Sequence, residues 1–303
     1  MKMKENHMRA GFGLLDGVRL AAMAAGLTLA VGLAPARAGF DPQVGVDGSL
    51  GVAASSPLFQ GWASSVVEFS PGPQDIANPG GPAANAGLPS GALGPISGSL
   101  VSLGDGGSIT LGFDAPIANG AGFDFAVFEN GMLVGATGTY LAYLELAFVE
   151  VSSDGENFFR FPSTSLTQTD EQVGGFGLLD ARDLNNLAGK YVAGYGTGFD
   201  LEDLVGVSPL LDVNNVTQVR IVDVVGSIDP LYASLDSHGN IINDPYSTPF
   251  GSSGFDLTGV GVINIASPAA VPEPSSLALG LSGLAALAAI ARRRRGAGRE
   301  TTA

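Results

Sequence analysis

Glycine and proline divide this chain into apolar runs that are too short for long helices. The 303 residues include 45 Gly and 18 Pro, and the runs between them are rich in β-branched and aromatic residues. Short runs of this kind, bounded by turn residues, are typical of β-strands. The pattern therefore favours an all-β domain in which many short strands are joined by Gly-rich turns.

Four segments carry the strongest strand patterns. Residues 99–113 (SLVSLGDGGSITLGF) predict a hairpin, and residues 140–161 predict a long strand, a turn and a return strand. Residues 216–226 and 255–265 are the clearest β runs. One short helix is predicted over residues 178–191, because Asp180 can cap its start and Gly189 suits a left-handed stop. We expect an antiparallel β-sandwich, jelly-roll-like, with this one short helix.

The N-terminus has the three parts of a secretory signal peptide. Basic residues precede an apolar run from Leu20 to Ala34, and the small residues Ala36 and Ala38 flank Arg37. This order predicts a signal helix that signal peptidase removes after Ala38. The rest of the chain is therefore expected to be exported.

The C-terminus combines a short motif, an apolar run and a basic cluster. The motif is Pro272, Glu273 and Pro274, and the cluster is Arg292, Arg293, Arg294 and Arg295. As a helix, the apolar run from Leu277 to Ala291 would rise about 22 Å, which is short of a hydrocarbon core of about 30 Å. We expect a weak transmembrane sorting helix with its arginines on the cytoplasmic side.

These features predict four parts in the chain. Residues 1–38 are the signal peptide, and residues 39–98 are the loop-rich beginning of the mature domain. Residues 99–266 are the β-sandwich, and residues 267–303 are the sorting tail. Within that tail we expect the motif at 271–274, the transmembrane segment at 275–291 and a basic cytoplasmic end at 292–303.

Both ends together resemble the PEP-CTERM class of exported proteins of Gram-negative bacteria. In that class an N-terminal signal peptide accompanies a C-terminal Pro-Glu-Pro, apolar run and Arg cluster, as at residues 272–295 here. The resemblance implies recognition by an exosortase, a sorting protease of the membrane, and cleavage near the motif. It also implies delivery to the cell surface or to an exopolysaccharide matrix, with the tail in the membrane before processing.

The central region is similar to a family of bacterial secreted and cell-surface proteins. The similarity lies in segments such as DFAVFENG (124–131), VEVSSDGENF (149–158) and SGFDLTGVGVIN (253–264). This family has no assigned activity, so the resemblance implies a secreted surface domain and leaves its ligand open.

The charge of the exported part limits its partners. Between residues 39 and 271, 25 acidic residues against 4 basic ones leave a net charge of −21. Such a surface repels phosphate and attracts divalent cations, so nucleic acid is excluded as a partner. Because the chain has no Cys and this part has only His238, thiolate zinc sites and multi-histidine metal sites are excluded too.

Acidic side chains are the candidate metal ligands. Asp223 shares strand parity with Val219 and Ile221, so it should face the core and need either backbone N–H groups or calcium as its partner. Oxygen ligands for calcium could come from Glu129, Asn130, Asp229, Asp256 and Asp223 itself. The competing interpretation is ordinary turn chemistry, since Asp and Asn beside Gly or Pro often bond their own backbone.

Two functions fit this sequence. The first is a non-enzymatic surface or matrix protein associated with exopolysaccharide or biofilm. The alternative is a calcium-dependent carbohydrate-binding module in which aromatic residues stack on sugars, with Trp62, Tyr191 and Tyr195 as candidates. A hydrolase using paired carboxylates is a third and weaker hypothesis, because nothing in the sequence singles out a pair.

Overall fold

The computed structural model describes residues 39–78, 80–134, 140–266 and 283–292. Several sequence predictions lie outside these residues. They are the signal peptide with Ala36 and Ala38, the Pro272-Glu273-Pro274 motif, and Arg293, Arg294 and Arg295. Arg292 is the last described residue of an α-helix, α1, which the structure describes over residues 283–292.

The described residues are mostly β, with strands of two to ten residues. In chain order they are β1 Val52–Ala53, β2 Gly61–Ser70, β3 Val101–Ser102, β4 Ser108–Ile117, β5 Phe125–Glu129, β6 Met132–Leu133, β7 Leu141–Tyr143, β8 Ala147–Ser152, β9 Phe159–Arg160, β10 Thr164–Ser165, β11 Leu179–Asp180, β12 Leu184–Asn185, β13 Tyr195–Phe199, β14 Val216–Asp223 and β15 Asp256–Val262. Three 3₁₀ turns lie at Pro89–Ala92, Ala181–Asp183 and Leu201–Leu204.

One antiparallel sheet forms the body of the fold. Its strand order is β1-β13-β5-β15-β2-β4-β14-β8-β9, with β3 also paired to β15. The long strand β2 joins two half-sheets, because Gly61 and Trp62 pair with β15 whereas Ala63–Ser70 pair with β4. We call β1, β3, β5, β13 and β15 the first half-sheet, and β4, β8, β9 and β14 the second.

The two half-sheets curl over a common apolar core. The first contributes Phe125, Val127, Phe199 and Val260, and the second contributes Ile109, Leu111, Val149, Val151, Val219 and Ile221. The phenyl rings of Phe125, Phe161 and Phe199 meet at centroid distances of 5.0–5.9 Å. Burying one face of each half-sheet in this core removes apolar surface from water, which is the main stabilising contribution to such a fold.

A second apolar cluster lies under two small sheets. These sheets are β6-β7-β11 and β10-β12, and the cluster includes Leu144, Leu146, Leu179, Leu184 and Ile242. The segments that supply its residues also carry three of the buried acidic groups discussed below, Glu145, Asp223 and Asp244.

The prediction of an antiparallel, mostly β domain is confirmed. Residues 216–226 and 255–265 contain β14 and β15, and the strand, turn and return strand of residues 140–161 appear as the antiparallel pair β8 and β9. The hairpin predicted over residues 99–113 is wrong. A turn does form, with Gly107 N–H donating to Gly104 O at 2.9 Å, but β3 pairs with β15 because Val101 and Leu257 enter the core together.

The helix predicted over residues 178–191 is also wrong. That segment forms β11, one 3₁₀ turn and β12, whose backbone groups pair with β7 and β10. Asp180 still caps the turn, accepting a hydrogen bond from Arg182 N–H at 3.0 Å, and Gly189 does have a positive φ of 83°. Among the described residues, α-helix is found at α1 instead. None of the described helices is long and apolar enough to cross a membrane.

Candidate functional site

Asp223 is buried at the end of β14, on the core side with Val219 and Ile221, as its strand parity predicts. Both of its carboxylate oxygens are occupied by backbone groups. Phe255 N–H donates to Oδ1 at 2.7 Å, and Gly106 N–H donates to Oδ2 at 2.9 Å. Burial raises the pKa of Asp223 well above its ordinary value, and the two amide hydrogen bonds oppose this rise.

Glu129, Asn130 and Asp256 lie together because β5 and β15 are adjacent strands. Asn130 Nδ2 donates to Asp256 Oδ2 at 3.0 Å, and the Ser102 hydroxyl donates to Asp256 Oδ1. Burial raises the pKa of Asp256 to about 6. Gly131 N–H donates to Glu129 Oε2 at 2.5 Å. Burial and the charge of Asp256 together raise the pKa of Glu129 well above its ordinary value.

Asp229 lies apart from these residues. Its side chain is exposed and accepts a hydrogen bond from Leu231 N–H, two residues on, at 3.0 Å. This is an ordinary Asx turn. The structure therefore brings together three of the five predicted ligands, with Asp223 held by backbone amides and Asp229 in a surface turn.

The sequence reasoning missed Glu145, which belongs to the same acidic group. It lies between β7 and β8, with only 4% of its surface exposed. Its pKa is raised well above the ordinary value, first by burial and then by the charges of Glu129 and Asp256. The Tyr143 hydroxyl is hydrogen-bonded to it. The parity rule that identified Asp223 could have found Glu145, because Glu145 has the same strand parity as the buried residues Ala147, Val149 and Val151.

Two further buried carboxyls adjoin this group. Asp244 Oδ2 accepts from Leu146 N–H at 3.0 Å, and Asp105 Oδ2 accepts from Ile76 N–H at 2.8 Å. Burial raises the pKa of Asp105 to about 6, and burial with the charge of Asp223 raises the pKa of Asp244 well above its ordinary value. We call Asp105, Glu129, Glu145, Asp223, Asp244 and Asp256 the buried acid group.

Two oxygens of the buried acid group have no hydrogen-bond partner. They are Glu129 Oε1 and Glu145 Oε1, and both are inaccessible to solvent. An unsatisfied buried acceptor costs about 1–3 kcal/mol, and more if it is charged. Among the described residues, no three His, Cys, Asp or Glu side chains are placed so that they could hold a metal ion together.

The four basic residues of the exported domain pair with other acids. Lys190 lies 2.6 Å from Asp41, and Arg182 lies 2.6 Å from Asp180. Arg160 and Arg220 share Glu150, at 2.8 and 3.4 Å. These cations are engaged elsewhere. Burying the acid group therefore has a desolvation cost that no salt bridge offsets.

Of the three aromatic residues expected to stack on sugars, Tyr195 is exposed to solvent, whereas Trp62 and Tyr191 are not. Trp62 packs against Phe59 and Phe128, with ring centroids 4.9 and 5.6 Å apart, and Tyr191 is buried with its hydroxyl bonded to Asp41. Tyr195 is partly exposed on β13.

A different set of rings forms an exposed row. The Phe176 ring lies 6.3 Å from the Tyr143 ring and 5.8 Å from the Phe250 ring, measured between centroids, with each pair tilted by 33°. Phe176 is 76% exposed and Phe250 is 46% exposed. We call Tyr143, Phe176 and Phe250 the aromatic row.

These features define a mostly β domain with buried carboxyls and an exposed aromatic row, followed by a tail of the kind that directs sorting. Residues 270–295 match the PEP-CTERM protein-sorting motif. The motif marks the chain as a protein that is exported across the membrane to a surface or extracellular location, with an exosortase as its processing partner. A comparison with curated proteins gave no match to the chain.

Proposed function

We propose that the exported domain is a non-enzymatic protein of the cell surface or extracellular matrix of a Gram-negative bacterium. It associates there with exopolysaccharide and so contributes to biofilm. The aromatic row is the observation that carries this proposal, because Phe176 exposes most of its ring to solvent while most other phenyl rings of the domain are at least half-buried.

Aromatic faces bind the apolar faces of sugar rings through burial and dispersion. Three neighbouring rings, with Phe176 in the middle, offer successive contacts to a polymer. Isolated exposed apolar residues need no explanation, but a contiguous exposed apolar patch marks an interaction surface. The net charge of −21 favours neutral or cationic polymers over anionic ones.

The burial of the acid group supports a non-enzymatic role. Glu129 and Glu145 are 1% and 4% exposed, whereas a glycosidase needs its two carboxyls at the scissile bond of the substrate. A polymer on the surface would not reach them. The protein is therefore expected to bind polysaccharide without shortening it.

A calcium-dependent carbohydrate-binding module is the second candidate. The unpartnered oxygens of Glu129 and Glu145 favour it, because calcium prefers carboxylate and carbonyl oxygens. In this hypothesis calcium would stabilise the part of the domain next to the aromatic row. Tyr143 belongs to the row, and its hydroxyl is hydrogen-bonded to Glu145.

Three structural details form part of the proposal. The curled sheet, formed by β1 and β2 of the loop-rich residues 39–98 together with strands of residues 99–266, would be a jelly-roll-like sandwich. Residues 1–38 would be removed as a signal peptide. Residues 275–291 would form a transmembrane helix that holds the tail until the exosortase acts.

Retention on immobilised polysaccharide tests the function. The full-length chain would be passed over hydroxyethyl cellulose, which is neutral, and over alginate, which is anionic, with calcium or with a chelator. We expect retention on the neutral polymer and at least a tenfold loss for Phe176→Ala. Tyr195→Ala is the matched control, because Tyr195 is an exposed ring outside the row, and it should bind normally.

Each hypothesis has its own contrary result. Equal retention of the wild type and Phe176→Ala would refute the aromatic row as the binding surface. Release of reducing ends from the polymer would refute the non-enzymatic role. Retention that is the same in calcium and in chelator would refute the calcium-dependent module while leaving the first candidate intact.

A further inference from the structure

A polar groove of about 490 Å³ shares no residue with the aromatic row or the buried acid group. Its walls are the segment 165–170, which begins in β10, and Asn240 with Ile241 from a later loop. Ligand sites in proteins commonly have volumes of about 300–1,000 Å³, so the groove is large enough for a small ligand. We call these residues the hydroxyl groove, because every second residue of the segment carries a hydroxyl.

One wall of the hydroxyl groove is fixed by Asn243, which is fully buried. Its amide nitrogen donates to the Gln168 carbonyl at 2.7 Å and to the Glu171 carbonyl at 2.8 Å. Its amide oxygen accepts from Val173 N–H at 2.9 Å. A single buried side chain therefore holds the end of the segment 165–170 and the residues that follow it.

The two walls are joined by Asp236. Its carboxylate accepts from Ser165 N–H at 3.1 Å on one wall and from Asn240 N–H at 2.9 Å on the other. Asn240 Nδ2 also donates to Asp236, at 3.2 Å, and the Asn240 amide oxygen remains as an acceptor. Walls that are held in this way need little ordering when a ligand binds.

Two hydroxyls in the wall lack a partner. Ser165 Oγ and Thr167 Oγ1 are closed to solvent and have no hydrogen-bond partner among the described residues. A buried hydroxyl without a partner costs free energy, so it gains from any group that bonds it. A ligand in the groove can supply that group, since either hydroxyl changes direction by rotation about χ1.

The side chains of the hydroxyl groove favour a neutral, hydroxylated ligand. Of the described residues that line it, none is basic, and Asp170 exposes a carboxylate, so phosphate and carboxylate ligands are disfavoured. A peptide strand gains little at β10, because the Ser163 and Ser165 N–H groups are already bonded to side-chain oxygens. Hydroxyl, amide and carboxylate groups can all exchange hydrogen bonds with the hydroxyls of a sugar.

We propose that the hydroxyl groove binds a segment of neutral polysaccharide, whose hydroxyls bond the side chains of Thr167, Asp170 and Asn240. This binding rests on the proposed association with exopolysaccharide, to which it adds a second contact besides the aromatic row. Asp170 and Phe176 are six residues apart, so their Cα atoms lie within about 22 Å of each other. A polymer chain can reach both sites, and linking two contacts raises the overall affinity.

Calorimetric titration of the full-length chain with trisaccharides tests the groove. The probes are cellotriose, maltotriose and mannotriose, which are neutral, and trigalacturonate, which is anionic. We expect at least one neutral probe to bind and trigalacturonate not to bind. Thr167→Val should weaken binding about three- to tenfold, because a neutral hydrogen bond is lost. Its Tm should be unchanged or higher, since the hydroxyl it removes has no partner in the protein.

Asp170→Ala should weaken binding about tenfold, because hydrogen bonds to charged groups are the stronger ones. Asp47→Ala is the matched control, since Asp47 is also exposed but lies outside the groove, and it should bind normally. Phe176→Ala separates the groove from the aromatic row. It should bind the trisaccharide as the wild type does, although its retention on hydroxyethyl cellulose falls.

The outcomes distinguish the groove from the proposed function. Weaker trisaccharide binding in Thr167→Val and Asp170→Ala, with binding kept in Phe176→Ala, would support the groove. Binding that is lost only in Phe176→Ala would overturn the groove and leave the aromatic row as the binding surface. A wild type that binds none of the neutral trisaccharides, or binds only trigalacturonate, would also overturn the groove. Retention on hydroxyethyl cellulose is measured separately and decides the proposed function by itself.

Discussion

The carboxylate of Asp223 accepts a hydrogen bond from Phe255 N–H at 2.7 Å and so ties the end of β14 to the entry of β15. These strands belong to different half-sheets, since β14 pairs with β4 and β8 while β15 pairs with β5. The second oxygen of Asp223 holds Gly106 in the turn before β4. One buried side chain therefore connects three segments that are distant in sequence.

Asp223→Ala should destabilise the domain by about 2–4 kcal/mol, because it leaves two buried N–H groups without acceptors. Asp223→Asn should cost less, since its carbonyl oxygen can still accept one of the two bonds. Urea unfolding followed by circular dichroism would measure both. Asp229→Ala is the control, because it removes only a bond in an exposed turn and should cost about 1 kcal/mol or less. Equal losses for Asp223→Ala and Asp229→Ala would contradict the connecting role.

Gly189 shows how closely the acid group is packed. Its φ is 83°, and a Cβ atom there would overlap the carbonyl oxygen of Glu145. Gly189→Ala should therefore cost about 3 kcal/mol or more, from backbone strain and from displacement of the Glu145 backbone.

Gly194 provides a matched control for this substitution. Its φ is 87°, but a Cβ atom there would meet open space. Gly194→Ala should cost only the strain of a left-handed alanine, about 1–2 kcal/mol. Chemical unfolding of both variants would compare the two costs. If Gly194→Ala were as destabilising as Gly189→Ala, the contact with Glu145 would have no role.

The elements that the sequence predicted well are those whose pattern is local. The alternation of apolar and polar residues predicted β8, β9, β14 and β15. A strand that buries one face shows this two-residue repeat whichever strand it pairs with. The helix prediction for residues 178–191 was wrong because the backbone partners of this segment are distant in sequence. Ala188 exchanges two hydrogen bonds with Ala147, and Leu166 N–H donates to Asp183 O, and these bonds replace those of a helix.

The candidate site also has a part that the sequence could predict and a part that it could not. The burial of Asp223 follows from its position in a strand, and a backbone partner was one of the two expected alternatives. The grouping of Glu145 with Glu129 depends on the folding of separate strands, and the aromatic row joins Phe176 to Phe250 across 74 positions of sequence. No local sequence pattern indicates such contacts. Neither the grouping of the two glutamates nor the aromatic row could therefore be predicted from periodicity.

The raised carboxyl pKa values predict an unusual dependence of stability on pH. Asp105 and Asp256 have a pKa of about 6 in the folded protein and ordinary values near 3.8 when unfolded. The folded state therefore holds protons that the unfolded state has released, and its stability falls as pH rises from about 4 to 6. For Asp256 alone, the free energy of unfolding lost over this rise in pH is about 2–3 kcal/mol. Glu129, Glu145, Asp223 and Asp244 extend the decline to higher pH, because burial raises their pKa values further.

In chelator, the free energy of unfolding should thus be greater at pH 5 than at pH 7.5. Asp105→Asn should reduce this difference, whereas the exposed Asp47→Asn should leave it unchanged. Below about pH 4 the trend should reverse, because burial raises the pKa of Asp236 but three backbone hydrogen bonds and one side-chain hydrogen bond to its carboxylate lower that pKa overall. With calcium bound, protons compete with the metal for carboxylates, so acid should weaken the domain. A domain that loses stability from pH 7.5 to pH 5 in chelator would contradict the raised pKa values.

The sorting tail predicts where the mature protein ends. Residues 270–295 match the sorting motif, and the apolar run before the arginines is too short for a firm anchor. Intact-mass measurement of the surface or medium fraction should give a chain that begins at Gly39 and ends near Val271. Replacing Pro272, Glu273 and Pro274 by Ala should leave the arginine cluster attached and hold the protein in the membrane fraction. Ala at Ser275 and Ser276 controls for a change of sequence beside the motif and should permit normal processing. A wild-type surface protein that still carries Arg292–Arg295 would refute cleavage and make the tail a permanent anchor.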